Sequence, residues 1–172
     1  FQEPRNPIPS EITRITGIDQ SMVEGHRIEI ARVEEMVSEA DIIIAHNAGF
    51  DRRFLERLSS SFITKPWGCS ATQVSWREEG YEGSRLGYLV SMAGYFYDRH
   101  RALNDCYAAV ELLSKPLPKS GKVAFDVLLN NARSVTIRLW ATHAPFDLKD
   151  NLKARGYRWN SGEYGTQKAW YI

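Results

Sequence analysis

Three consecutive isoleucines at residues 42–44 form an apolar run that turns polar from His46 onward. Because the run shows no alternation of apolar and polar side chains, it is typical of a parallel strand that is covered on both faces. The next stretch, Phe50 to Leu58, has apolar side chains at helical spacing. The chain is therefore predicted to contain an α/β sheet, and ligands of such sheets bind beyond the carboxyl ends of the strands.

His46, Asn47 and Asp51 fall at that predicted strand end. From there, Asp51 can project over the sheet edge toward a group that another element brings to the same place. The alternative is that Asn47 and Asp51 simply cap the following helix. A capping role suits Asn47 better, because Asp51 lies inside the helical stretch.

A second segment, Tyr97 to Cys106, places a histidine five residues before a carboxylate where a loop becomes a helix. The run 102–113, rich in Ala and Leu, predicts that helix, with Asp105 in its first turn on a small, apolar face. His100 lies just upstream and can act as a base near neutral pH. Taken alone, the acid is more simply explained by the helix dipole and the histidine by solvation.

The two segments together resemble motifs of the histidine branch of the DEDD exonuclease superfamily, which includes the proofreading epsilon subunit of bacterial DNA polymerase III. The stretch Ala45-His46-Asn47-Ala48-Gly49-Phe50-Asp51 is similar to the second motif, and His100-x-Ala102-x-x-Asp105 to the third. Residues 7–18 resemble the segment between the first and second motifs. The resemblance implies a ribonuclease-H-like α/β exonuclease core, here an amino-terminally truncated mixed sheet flanked by helices.

The first motif of that family, an Asp-x-Glu on the central strand, has no counterpart in these 172 residues. Glu3 and Glu11 do not replace it, because the prolines around them prevent a regular strand. The chain also begins with Phe1 rather than Met, without a signal peptide. We therefore expect that it lacks its natural amino-terminal part and is impaired as a nuclease on its own.

The resemblance also implies the chemistry and the site. Two Mg²⁺ or Mn²⁺ ions, roughly 4 Å apart, would support hydrolysis of a phosphodiester at the 3′ end of a single DNA strand. By resemblance, Asp51 and Asp105 hold the metal ions and His100 takes the proton of the attacking water. The predicted contacts to nucleic acid near the metal ions are His46, Asn47 and Phe50.

Two other functions stay open. An exonuclease that acts on RNA would share the same motif geometry, and nothing in the sequence identifies a reader of the sugar 2′-hydroxyl. A non-catalytic nucleic-acid-binding or interaction fragment is the competing class, because the Asp-x-Glu motif is absent.

Composition indicates a soluble protein, and a cytoplasmic location is predicted. Hydrophobic residues make up 43% of the chain, yet no stretch has the apolar length that crosses a membrane. The two cysteines, Cys69 and Cys106, are too few for a disulfide framework and are predicted to be reduced. The net charge of +1 conceals a basic tail: residues 1–120 carry 14 basic and 17 acidic side chains, whereas residues 121–172 carry 8 and 4.

A linker rich in Pro and Gly at residues 115–121 predicts a boundary between an exonuclease core, 1–118, and a small basic aromatic α+β module, 119–172. The module should contain helix 123–133, strand 134–141, helix 145–155 and two strands at 157–159 and 168–172 joined by a Gly-rich turn. It loosely resembles modules attached to other DNA-acting enzymes. Lys153 and Arg158 are its predicted nucleic-acid contacts, whereas Trp140 and Trp170 suit its core better.

Within the core, a strand at residues 65–70 and a helix at 86–93 are predicted, with Trp67 in the interior. The polar, Gly-containing stretch 76–83 between them is predicted to be a surface loop. It could border the substrate, but a solvated connection is the simpler interpretation.

Overall fold

The computed structural model of the chain describes residues 1–135, 137–162 and 166–172. The chain divides into two compact units, Phe1–Arg133 and Ser134–Ile172. In the described ranges, no helix has both the length and the apolar character needed to cross a membrane.

The first unit combines a parallel pair of strands with helices. The strands are β1 (Ile43–Ala45) and β2 (Trp67–Cys69), paired with Ile43 opposite Trp67. The helices are α1 (Ser10–Thr16), α2 (Ile30–Glu39), α3 (Ala48–Leu58), α4 (Ser61–Thr64), α5 (Leu86–Met92), α6 (Ala102–Leu113) and α7 (Ala124–Arg133), with a 3-10 turn at Gln20–Met22. The predicted strands and the helices at 50–58, 86–93 and 102–113 are confirmed, with bounds that differ by at most a few residues.

The core of the first unit lies where α5, α6 and α7 meet β2. On α6 the buried side chains are Ala108, Leu112 and Leu113, which follow the apolar stripe predicted for this helix. Leu89 of α5 and Leu128 of α7 are fully enclosed. Burial of one such leucine stabilises a fold by about 1.5–3 kcal/mol, so this apolar cluster fixes the position of α6 and its first turn.

The stretch 76–83 is not a simple solvated loop as predicted. Trp76 is only 2% exposed, its indole N–H donates to the Ser70 carbonyl at 2.7 Å, and the Tyr81 ring packs edge-on against it. The prediction was wrong for Trp76 because the residues that follow it are polar, which is the pattern of a surface loop. One large side chain in such a stretch can still pack into the core.

Helix α7 belongs to the first unit, although the sequence suggested a boundary at residue 118. Its Ala124 and Leu128 are buried in the same cluster as Leu112, and the compact units divide after Arg133. The residues of the predicted linker support this packing, because Lys119 and Ser120 donate backbone N–H groups to the Glu79 carboxylate, each at 3.0 Å.

In its described residues, the second unit consists of a small antiparallel sheet and one short helix. Its strands β3 (Trp140–Ala141), β4 (Arg158–Asn160) and β5 (Ala169–Tyr171) are ordered β3-β5-β4, and a 3-10 turn at Phe146–Leu148 leads into α8 (Lys149–Ala154). The predicted strand 134–141 is confirmed only at its end: among the described residues, β3 pairs with β5 at Trp140–Ala141, and Leu139 and Ile172 exchange backbone hydrogen bonds. The predicted Gly-rich turn lies partly outside the described residues.

Candidate active site

Asp51 reaches the edge of the sheet because the chain turns sharply after β1. Asn47 has φ 72°, a left-handed conformation that asparagine tolerates better than most residues, and α3 begins at the next residue. This turn places the half-buried Asp51 in the first turn of α3. Asn47 occupies the cap position, but its exposed side chain makes no capping hydrogen bond.

Asp105 is held in the first turn of α6 by a tyrosine. The Tyr97 hydroxyl donates a hydrogen bond to Asp105 Oδ1 at 3.0 Å. Burial, followed by the hydrogen bond to Asp105, raises the pKa of Tyr97 to about 12, so the phenol keeps its proton and remains a donor. Sequence reasoning assigned no role to Tyr97, although its position eight residues before the acid was visible.

The charges of Asp51 and Asp105 interact although the two acids lie on different helices. Burial raises the pKa of the Asp51 carboxyl, and the negative charge of Asp105 raises it further. The pKa of the Cys106 thiol is raised, first by burial and then by the negative charges of Asp105 and Asp51. Both acids therefore act electrostatically on the same thiol. Two acids that repel each other at a sheet edge form a site that favours a cation.

His46 braces this site through both of its ring nitrogens. Nε2 lies 2.6 Å from the Ser84 carbonyl oxygen and must donate, so in the neutral ring Nδ1 accepts from the Ser70 hydroxyl at 2.9 Å. Burial lowers the pKa of His46, although the Ser84 carbonyl and the charges of Asp105 and Asp51 oppose this effect. The ring therefore links the end of β1 to the segments that contain Ser70 and Ser84. Both of its nitrogens are engaged within the protein and neither is available to a ligand.

The neutral His46 predicts that stability depends on pH. Unfolded His46 takes up a proton near pH 6.5, whereas the folded ring resists it to lower pH. The unfolded state then binds more protons in that window, so the free energy of unfolding falls as pH falls below about 6.5. Urea titrations of the metal-free chain between pH 7.5 and 5 measure this dependence.

The variant His46→Asn should lose this part of the pH dependence. It should also be less stable by about 1–3 kcal/mol at pH 7.5, because the Ser70 and Ser84 groups lose their partner. His26→Asn, at an exposed histidine, is the control and should keep the wild-type profile. Equal pH profiles for wild type and His46→Asn would contradict the assigned neutral ring.

His100 lies at the entrance to α6 on a braced loop. Arg101 Nη2 donates to the Gly17 carbonyl at 3.2 Å, and Asn104 Nδ2 donates to the Asp98 carbonyl at 3.2 Å. The His100 ring itself is exposed, and within the described part of the chain it makes no hydrogen bond or ion pair. Asp51 and Asp105 are thus coupled electrostatically, whereas among the described residues His100 makes no contact with either acid.

The backbone at His100 is unusual for its residue type. Its φ of 67° is left-handed, which is uncommon for a residue with a side chain and is maintained only where surrounding structure enforces it. Here the hydrogen bonds of the neighbouring Arg101 and Asn104 provide that enforcement.

An aromatic pair stands beside Asp51 on α3. Phe50 and Phe54 are 61% and 57% exposed, and their ring centroids lie 5.0 Å apart. Exposed aromatic faces of this kind stack on unpaired bases. Phe50 was predicted as a contact to nucleic acid, and Phe54 adds a second ring to the same surface.

The donor set suits one hard divalent ion better than two. Mg²⁺ is commonly held by one or two carboxylates together with waters and substrate phosphates. Asp51 and Asp105 supply two carboxylates, and neither forms an ion pair within the described residues. No cluster of three or more His, Cys, Asp or Glu side chains arranged to hold a metal ion occurs among those residues.

The predicted contacts of the second unit are accessible. Lys153 lies on the last turn of α8 and Arg158 opens β4, and both side chains are exposed.

Comparisons with known proteins agree with the geometry of the first unit. The exonuclease family model RNase_T matches residues 1–113. Two curated relatives are each 28% identical: a PolC-type DNA polymerase III from Caldanaerobacter subterraneus subsp. tengcongensis, over 69% of the chain, and a DNA polymerase III subunit epsilon-like protein from Rhodobacter capsulatus, over 76%. The chain spans only 9% and 20% of the lengths of these two relatives.

A solved structure is also similar to this chain, and it is again that of an exonuclease. Exonuclease X, in complex with 5′ overhanging duplex DNA, superposes with a TM-score of 0.56 at 25% identity and covers 76% of this chain and 78% of that one. The predicted α/β class and ribonuclease-H-like core are thereby confirmed, as is the similarity to the epsilon subunit.

Proposed function

Because the chain belongs to the exonuclease family, we propose that its first unit provides part of a metal centre that removes nucleotides from the 3′ end of DNA. The observation that carries this proposal is the electrostatic coupling between Asp51, in the first turn of α3, and Asp105, in the first turn of α6. An acidic pair of this kind is suited to Mg²⁺ or Mn²⁺, which would activate water and stabilise charge on the phosphate.

Each residue has a distinct role in this proposal. Asp105, oriented by the Tyr97 hydroxyl, and Asp51 would together hold a divalent ion, which would supply an activated water. His100 takes the proton of that water. Asn47 and Phe50 contact the terminal nucleotides, while His46 acts as a positioning residue because both of its nitrogens are engaged within the protein.

Two carboxylates are half of the four that the family resemblance implies. We therefore propose that the 172-residue chain binds metal weakly by itself and turns over slowly. The edge of β1 that faces away from β2 is unpaired in the described residues. A strand that carries Asp-x-Glu could pair along this edge and bring its acids to the same end of the sheet.

The proposal is tested with an extended chain, in which a strand bearing Asp-x-Glu is joined ahead of Phe1. With Mg²⁺, this extended chain should shorten single DNA strands from the 3′ end, so a 5′ label yields a ladder and a 3′ label yields mononucleotides at once. The 172-residue chain should show negligible cleavage in the same assay. Robust cleavage by the shorter chain, or release that starts at the 5′ end, would contradict the proposal.

The second candidate is a binding fragment without catalysis, favoured by the presence of only two converging acids. It predicts that the extended chain binds oligonucleotides but cleaves neither DNA nor RNA under any metal. The remaining alternative is an exonuclease with RNA as its substrate. It predicts that the extended chain degrades RNA faster than DNA when the two are digested in parallel.

A further inference from the structure

The second unit carries a groove of about 700 Å³ outside the span that the exonuclease family model matches. Trp140 lies directly opposite Tyr171, and Tyr171 lies directly opposite Arg158. Residues paired across antiparallel strands point to the same face of a sheet. Trp140, Tyr171 and Arg158 therefore form one row across the three strands, and all three line the groove.

A second arginine is stacked on this row. The Arg138 guanidinium lies 5.2 Å from the centroid of the Tyr171 ring and 5.8 Å from that of Trp140. The two rings are 5.2 Å apart and tilted by 41°. A guanidinium held over aromatic faces keeps its N–H edge available, and that edge matches two oxygens of a phosphate. Neither Arg138 nor Arg158 forms an ion pair with a carboxylate inside the described ranges.

We propose that this groove is a separate binding site for one or two nucleotides of an unpaired polynucleotide strand. Arg138 and Arg158 bind the phosphates, and the Trp140 and Tyr171 rings contact a base. Residues 134–172 carry six basic and three acidic side chains, so the surrounding charge attracts a polyanion. A small inorganic anion would contact only the two arginines and not the Trp140 and Tyr171 rings, so a nucleotide fits the groove better.

The proposed site extends the proposed function, because it gives the exonuclease a second binding site for its substrate strand. The choice of a polynucleotide as ligand rests on that function. Binding through the groove nevertheless requires no metal and no hydrolysis. The experiment below is therefore performed in EDTA, whereas the exonuclease proposal is judged by cleavage.

Fluorescence anisotropy of labelled oligo(dT) and oligo(rU), each ten nucleotides long, measures binding by the full 172-residue chain at several salt concentrations. The test variant is Arg138→Gln/Arg158→Gln. Its matched control is Lys149→Gln/Arg155→Gln, which removes the same charge from the same unit at residues outside the groove lining. Circular dichroism verifies that both variants keep the fold of the wild type.

The groove variant should weaken oligonucleotide binding at least about tenfold and flatten the log–log salt dependence by about 1.4, because each phosphate contact on a single strand contributes about 0.7. The control variant should bind within about threefold of the wild type. Binding of DNA, RNA or both through the groove supports the site, and the ratio of affinities gives the sugar preference.

Two results would overturn the proposal. One is an equal loss in the groove and control variants, which would indicate nonspecific charge attraction. The other is competition by inorganic polyphosphate as effective as that by an oligonucleotide of equal charge, which would exclude a contribution from the bases. Groove binding is measured in EDTA and hydrolysis with Mg²⁺, so failure of the groove and failure of the exonuclease remain distinguishable.

Discussion

Replacing Asp105 by asparagine in the extended chain should lower Mg²⁺-dependent hydrolysis about 10³-fold. The carboxylate is needed to hold the ion that activates water, and Lewis-acid stabilisation of a phosphoryl transition state is worth several kcal/mol, with each 1.4 kcal/mol equal to about a factor of ten. Single-turnover cleavage of a 5′-labelled strand at saturating enzyme measures the effect.

Two matched variants show whether the loss belongs to the metal centre. Asp98→Asn removes an exposed acid from the loop that precedes α6 and should leave the rate unchanged. Tyr97→Phe removes only the hydroxyl that orients Asp105, so metal affinity should fall by about 10–100-fold while excess Mg²⁺ restores much of the rate. Activity of Asp105→Asn within about threefold of the wild type would remove this acid from the proposed mechanism.

Replacing His100 by asparagine should lower the hydrolysis rate of the extended chain by about 10²–10⁴-fold, the usual contribution of a general base. Asparagine tolerates the left-handed backbone that the structure shows at this position, so the fold should persist. Because only the base is removed, Mn²⁺ binding should be unaffected, and the limb of the pH–rate profile that reports deprotonation of the base should disappear.

His143 provides a control with the same backbone conformation. It is exposed, and its φ of 59° is close to the 67° of His100. His143→Asn should retain full activity and the wild-type pH profile. An equal rate for His100→Asn and wild type, or equal losses in both variants, would show that His100 is not the base.

The parts of the fold that sequence predicted are those set by local patterns. The uninterrupted apolar run at residues 42–44 indicates a buried strand, and the Ala- and Leu-rich stretch 102–113 indicates a helix, so β1 and α6 could be placed from these local patterns alone. β1 leads into the first turn of α3, which carries Asp51, and α6 carries Asp105; the charges of the two acids interact in the structure.

The parts that sequence did not predict depend on contacts between distant residues. His46 is engaged by Ser70 and Ser84, which lie 24 and 38 residues away and have no local pattern that marks them. Helix α7 packs on the first unit although a Pro- and Gly-rich stretch precedes it, because Leu128 completes the core there. Local propensity cannot distinguish a linker from a tight connection within one unit.

The same limit applies to the second unit. The stretch 134–141 alternates apolar side chains, yet Val135 and Ile137 are 93% and 79% exposed, and among the described residues the strand is limited to Trp140–Ala141. Strand pattern alone does not supply a partner, and a strand forms only where one is available.

The central claim is that Asp51 and Asp105 share one divalent ion. Mn²⁺ titration of the ¹³C-labelled 172-residue chain, observed by NMR at the side-chain carboxyl carbons, tests it directly. In the wild type, paramagnetic broadening should affect Asp51 and Asp105 together, at the same Mn²⁺ concentration. In Asp105→Asn the broadening of Asp51 should vanish, and in both proteins the exposed Asp98 should stay sharp. Broadening of only one of the two carboxyls, or of Asp98 at the same concentration, would contradict a shared site.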